Sequence, residues 1–225
     1  VLDRREGGAS EDKVAEPEQS GAGTGERQSR YDSILRAANH HAQGGTPPVH
    51  LWNPPFCGDL DMRIARDGTW FYMGTPIGRM PLVKLFASVL RREEDGKYLL
   101  VTPVEKVGLQ VDDVPFVGVE LDKIRLDDGL VALTLRTNVD DVVVISQDHP
   151  LRFLIDDETG GLTPYCRIRG RLDARLGRPL LYQLAEFGEE AVVDGEDWFG
   201  IFSCERFFPM MRMRDLEQAM DNSSA

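Results

Sequence analysis

Mixed charges flank strand-like runs in the middle of the chain. Glu105 and Lys106 follow Thr102-Pro103, which interrupts an apolar run. Asp112 and Asp113 close the next run, and Arg79 stands just ahead of an amphipathic stretch. Charged groups at strand ends can converge on a polar cleft, where a guanidinium grips a carboxylate or phosphate through two parallel hydrogen bonds. Trp52 lies in a proline-rich loop and could wall such a pocket together with Phe71. Arg79, Glu105, Lys106, Asp113 and Trp52 are therefore the candidate ligand-binding residues. The plainer reading is that Glu105 and Lys106 point to opposite faces and make ordinary surface or bracing contacts.

Other residue types invite catalytic readings and fall short of them. Cys57 and His50 share the proline-rich loop, with Asp59 and Asp61 close by. A thiol nucleophile needs its base at hydrogen-bond distance and a third, orienting group, and sequence spacing supplies neither. The acidic pairs Asp112-Asp113, Asp127-Asp128, Asp140-Asp141 and Asp156-Asp157 sit beside turns, as solubility and strand termination alone would place them. His40 and His41 are adjacent but lack further ligands, and His149 before Pro150 reads as a loop cap. No phosphate-binding loop, dinucleotide fingerprint or nucleophile elbow is present. The sequence thus assigns no catalytic residue, no metal ligand and no cofactor.

These side chains ride on a chain of 225 residues whose 26 basic and 38 acidic groups leave a net charge of −12. That balance disfavours nucleic acid and anionic lipid as partners, although it does not forbid a local basic patch. No apolar run reaches the roughly 20 residues needed to span a bilayer, and the opening VLDRREGGASEDKV has no apolar signal core. The chain opens on Val1 rather than Met, which reads as a trimmed start. Cys57, Cys166 and Cys204 are odd in number and widely spaced, so a reducing, cytoplasmic compartment is expected.

Several elements must position the candidates. Residues 1–45 are polar and Gly-rich, and read as a disordered tail with one short helix around Tyr31 to Leu35. Thr46 to Cys57 forms a stiff loop. Leu60, Met62 and Ile64 alternate with polar residues, and Asp67-Gly68 turns them into Trp70 and Tyr72. Leu82, Leu85, Phe86, Val89 and Leu90 have helical spacing, which predicts a helix from Pro81 to the Asp95-Gly96 stop. Strands follow at 98–101, 107–111, 116–121 with Val117, Val119 and Leu121 on one face, 130–135, 142–145 as a buried β-branched run, 152–155 and 166–172. A short helix opens at Pro179, and 198–202 reads as the last strand. Asp67-Gly68-Thr69-Trp70-Phe71 is echoed by Asp194-Gly195-Glu196-Asp197-Trp198-Phe199. The fold class is α+β, with antiparallel sheets each packed against a principal helix and two halves that share a loose plan. The expected divisions are a tail at 1–45, an N-terminal α+β half at 46–115, a mostly β half with a short helix at 116–215, and a flexible tail at 216–225.

The stretch from Asp67 through Pro76-Ile77-Gly78-Arg79 and Leu82–Phe86 to Tyr98–Lys106 and Asp112–Phe116 resembles the bacterial family called domain of unknown function 1285. Its most specific block is Thr102-Pro103-Val104-Glu105-Lys106 followed by Asp113-Val114-Pro115-Phe116. The resemblance spans about residues 50–208. It implies a two-part α+β protein of Gram-negative bacteria with related motifs in its halves, and a role in signalling. It carries no catalytic residues across.

The reading that follows is a soluble regulatory or sensor-like module binding a small polar or anionic ligand, with no nucleic-acid or membrane partner. One alternative is a hydrolase of a small polar substrate, which would bring Arg79, Glu105 and Asp113 together beside a carboxyl of raised pKa. Another is a homodimer or protein-interaction module that uses Phe207 to Arg214, a run that a terminal helix docked on its own core would equally explain.

Overall fold

A computed structural model describes residues 31–36, 47–155 and 161–223 of the chain. His40, His41 and most of the acidic turn at 156–161 lie outside the described residues. Strands dominate and helices are few, so the fold is α+β.

A helical stretch over 31–36 (α1) drives Ile34 fully into the core and stacks Tyr31 on Tyr72 at 4.4 Å. The first sheet then forms from β1 (Phe56–Ile64), β2 (Trp70–Tyr72), β3 (Thr75–Pro76), β4 (Leu90–Arg92), β5 (Tyr98–Val101) and β6 (Lys106–Val111), in the order β3-β2-β1-β6-β5-β4. The alternation of Leu60, Met62 and Ile64 does what a period of two demands, since all three are buried on one face of β1. Helix α2 (Met80–Ser88) starts with proline in its first turn and buries Val83, Leu85, Phe86 and Ala87.

This helix is shorter than its spacing predicts. Val89 already has a non-helical ψ of 8°, and Leu90 pairs with Leu100. Asp95-Gly96 is the tip of the β4–β5 hairpin rather than a helix stop. Tyr98–Val101 offers a strand for Leu90–Arg92 to pair with, and the ladder keeps Val89 and Leu90 buried without extending the helix.

The second sheet contains β7 (Phe116–Arg125), β8 (Val131–Thr137), β9 (Val142–Val144), β10 (Leu151–Ile155), β11 (Leu162–Arg169) and β12 (Leu172–Leu176), ordered β10-β11-β12-β7-β8-β9. Numbered from its own first strand, it repeats the order of the first sheet. Each sheet is two three-stranded meanders joined through one parallel pair, β1 with β6 and β12 with β7. The sheets are therefore mixed rather than purely antiparallel, because the first strand of one meander lies beside the last strand of the other.

Three strands differ from their sequence expectation. A bulge between Gly118 and Glu120 switches the inward face of β7, so Phe116 and Leu121 are buried while Val119 is exposed. The β-branched run at β9 lies on a sheet edge, where Val143 faces the core and Val142 faces solvent. Residues 166–172 are not one strand: Gly170, at φ +50°, turns β11 into β12.

Helix α3 (Arg178–Glu186) buries Leu180 and Leu184. A three-stranded antiparallel sheet follows, made of β13 (Gly188–Val193), β14 (Glu196–Ser203) and β15 (Arg206–Arg212). The stretch 198–202 is thus the middle strand rather than the last, and Phe208 and Met210 of β15 are buried. Helix α4 (Met213–Ser223) runs into the segment read as a tail. The third sheet is tied to the second by Ser203, whose buried hydroxyl accepts from Leu133 N–H and donates to the Ile145 carbonyl at 2.6 Å. One continuous apolar core runs from Ile34, Trp70 and Phe86 through Phe116 and Leu135 to Ile201.

Candidate functional site

The candidates named from sequence are spread over the fold. Arg79 is exposed and caps the N-terminus of α2 without a side-chain capping bond. Glu105 belongs to a tight turn in which its carbonyl accepts from Thr102 N–H and its own N–H donates to Thr102 Oγ1. Lys106 opens β6 and reaches Asn53 Oδ1 at 3.4 Å. Asp113 lies beyond the far end of that strand, roughly 20 Å away at the rise of an extended chain. Lys106 and Asp113 therefore serve different neighbourhoods. Asp113 accepts from Tyr165 Oη at 3.1 Å and stands 3.7 Å from Arg66 Nε and 3.6 Å from Arg175 Nε. Arg175 Nε is buried and has no hydrogen-bond acceptor, so its contact with Asp113 is a long ion pair.

Trp52 borders a cavity. The loop preceding β1, whose residues Val49–Leu51 form a 3-10 turn, folds over β4 and the β11–β12 turn. Two adjoining cavities result. One, of about 360 Å³, is walled by Pro47, Pro48, Val49, Leu90 and Leu172 with Arg91, Arg92, Arg169 and Arg171 around it. The other, of about 540 Å³, is lined by Trp52, Asn53 and Glu93 and shares His50, Arg91, Arg92 and Arg171 with the first. Volumes of this order suit small organic ligands.

The four arginines are not equivalent, and their partners separate them. Arg91 donates to the Val49 and Trp52 carbonyls, both at 2.7 Å, and pairs with Glu93 at 2.5 Å, so it fastens the loop to β4. Arg169 is equally committed: it pairs with Asp141, donates to the Ala87 carbonyl at 2.7 Å and lies 4.9 Å over the Phe116 ring. The Arg92 guanidinium makes no hydrogen bond or ion pair among the described residues and rests 5.3 Å over the Tyr98 ring. Arg171 pairs with Glu94 at 2.6 Å, but Glu94 is 82% exposed. Such a surface pair contributes little and exchanges readily. Arg91 and Arg169 build the cleft; Arg92 and Arg171 can serve an occupant.

Leu90 and Arg92 share one face of β4, as Leu100 and Tyr98 do on β5, and Leu90 and Arg92 line the first cavity together with Arg171 and Leu172 of the second module. Burial raises the Tyr98 pKa above its ordinary value, with Asp173 and Asp113 adding to the rise and Arg92 opposing it. Nearby, Asp173 is only 2% exposed and is held by Arg152 at 2.7 Å and Arg167 at 2.5 Å. The junction of the sheets is thus locally rich in arginine within an acidic chain.

The cysteines stand apart from this cleft. Cys166 is buried and its thiol is pushed up to about 12 by desolvation first, with Asp173 adding to the rise. The Cys57 thiol points to the Pro55 carbonyl at 3.7 Å. Among the described residues, no group of three His, Cys, Asp or Glu side chains could hold a metal ion. No helix among them is long and apolar enough to cross a membrane.

The arginines were hidden from sequence reasoning because Arg91-Arg92 looked like the solvated end of a helix. The run Arg167-Ile168-Arg169-Gly170-Arg171, basic within a chain of net charge −12, was the signal available.

Two six-stranded sheets of one strand order, meeting at an arginine-framed cleft, define an α+β scaffold with a module on each side of the cleft. The matching family models describe these as the N-terminal domain of DUF1285, over residues 47–114, and the C-terminal domain of DUF1285, over 115–210. The chain belongs to the DUF1285 family. It is similar to the crystal structure of a DUF1285 family protein from Silicibacter pomeroyi at 48% identity and a TM-score of 0.72, covering 82% of this chain and 97% of that one. A DUF1285 family protein from Shewanella baltica matches at 29% identity and a TM-score of 0.44, over 56% of this chain and 91% of that one. No curated protein matches.

Proposed function

We propose that this protein is a soluble regulatory or sensor-like module that binds a small anionic ligand in the cleft between β4 and the β11–β12 turn. Its place is the reducing cytoplasm, consistent with three unpaired cysteines. The observation that carries the reading is Arg92, a guanidinium that borders both cavities and has no anionic partner among the described residues. An arginine held over an aromatic ring keeps its hydrogen-bond donors available for a carboxylate or phosphate. The two sheets are read as related halves, 46–115 and 116–215, with α2 and α3 as their principal helices. Their common strand order supports this, and it gives a ligand lodged between them a means of changing how the halves meet.

The test is a thermal-shift screen of the full chain against small organic carboxylates and phosphates, run in parallel on Arg92→Gln. At a concentration of about 100 times Kd a ligand adds roughly 2.7 kcal/mol to stability. The expected result is an anion that raises the Tm of the native sequence and raises that of Arg92→Gln much less. Equal shifts in both proteins, or none with any anion, would remove the reading.

A further inference from the structure

We infer that the ligand is an amphiphile: an acidic head held by Arg92 and Arg171 and an apolar body lodged under the proline-rich loop. This deepens the anion-binding reading and rests on it. The smaller cavity is not lined as a site for a bare polar anion would be. Pro47, Leu90 and Leu172 are buried, and with Pro48 and Val49 they make a continuous apolar wall. A bare anion held by the arginines at its edge would leave this apolar wall unfilled, and one pushed against the wall would lose hydration there without a hydrogen bond in return. An apolar body would gain from leaving water. At about 30 Å³ per water-sized group, 360 Å³ holds on the order of ten heavy atoms.

The head group has a matching place. Arg91, Arg92 and Arg171 border both cavities, so positive charge lies at the boundary between the apolar compartment and the more open one. The lining carries a single acidic side chain, Glu93, and Arg91 already neutralises it at 2.5 Å. The surplus charge rests on Arg92 and, once Glu94 yields to solvent, on Arg171. Trp52 and His50 border the larger cavity, where an extension of the head would lie. A carboxylate or a phosphate monoester would satisfy the same two guanidiniums, so the common feature is an anionic head on an apolar body.

The experiment is calorimetric titration of the full chain with decanoate below its micellar range, decanol, decyl phosphate, acetate and inorganic phosphate. Arg92→Gln and Arg171→Gln are titrated alongside, with circular dichroism confirming that they fold. The inference expects decanoate or decyl phosphate to bind at least about tenfold tighter than acetate, inorganic phosphate or decanol. The preferred one of the two names the head group, and Arg92→Gln weakens it by a similar factor. Inorganic phosphate or acetate binding as tightly as the decyl anions, and in an Arg92-dependent way, would overturn the amphiphile and leave the anion site standing. Decanol binding as well as decanoate, with no effect of either arginine substitution, would overturn both. No binding by any probe would also overturn both.

Discussion

Tyr165 shows how one side chain joins local chemistry to stability. It is almost fully buried, its ring lies 4.8 Å under Arg152, and its hydroxyl donates to Asp113. Burial raises its pKa above the ordinary tyrosine value, and the Asp113 charge and hydrogen bond add to the rise. Tyr31 and Tyr98 are raised as well, each mainly by burial. A group whose pKa is raised by folding keeps its proton more tightly in the native state. Its contribution is therefore complete below the unfolded value near 10 and is lost as pH climbs through the native one. Urea midpoints measured from pH 8 to 11 should fall above about pH 10, and Tyr165→Phe should fall less steeply while starting lower for want of its hydrogen bond. Identical slopes in the two proteins would assign the alkaline loss to other groups. Asp173 obeys the same logic of compensation: a carboxylate this buried is tolerable because Arg152 and Arg167 both reach it.

At the scale of elements, three hairpins use one device. In Ala65 to Thr69, Glu93 to Lys97 and Leu126 to Leu130, the first N–H donates to the last carbonyl, the glycine N–H donates to the first carbonyl, and the aspartate side chain accepts from the last N–H. The glycines have φ of +83°, +89° and +86°, where a Cβ is disfavoured. Hydrogen bonding from Thr69 holds the Asp67 carboxyl below its usual range, so its contribution is present above about pH 4 and is lost on acidification. The same turn has different surroundings at two of these places. A Cβ at Gly96 meets only an Arg92 nitrogen at 3.9 Å, whereas one at Gly68 would lie 2.6 Å from Asn138 Nδ2 and 3.1 Å from Val117. Gly96→Ala should cost about 1 kcal/mol in denaturant titration, the backbone term alone. Gly68→Ala should cost roughly 2–3 kcal/mol, because the second module is pressed against it. Equal losses would mean that Asn138 moves aside freely.

The turns at Asp67-Gly68 and Asp128-Gly129 were legible in sequence, as were β1, β2 and the start of α2, because each is set by residues within a few positions of one another. Asp95-Gly96 read as a helix stop because its partner strands were not both recognised. The end of α2 was not legible, since Leu90 is drawn from the helix by Leu100, ten residues on. Nor was β15: its aromatics and methionines satisfy a contact patch and an internal strand equally well, and only pairing with β14 decides between them. The cleft was the least legible feature of all. It is made by three segments near residues 50, 91 and 170, and whether an arginine braces or binds depends on partners such as Ala87 and Asp141 that no spacing announces.

For the molecule as a whole, the two family domains share an apolar core and are joined by several side-chain contacts. Arg66 of the first module and Arg175 of the second share Asp113, Lys84 pairs with Asp140, and Gly68 abuts Asn138. Arg169 is the most committed of these links. It pairs with Asp141 in its own module, donates to Ala87 at the end of α2 and covers the Phe116 ring where the second module begins. If the modules fold as one unit, Trp70 in the first and Trp198 in the third sheet should report the same urea midpoint as far-UV circular dichroism. Arg169→Ala should then move all three readings together by about 2–3 kcal/mol, since it strands the Asp141 carboxylate and the Ala87 carbonyl at a partly buried seam. A transition that splits, with fluorescence leading or trailing circular dichroism, would show instead that the modules are coupled only weakly. In that event a ligand at Arg92 would bind between two bodies that separate at little cost, and its signal would be a change in their separation rather than in the stability of a single unit.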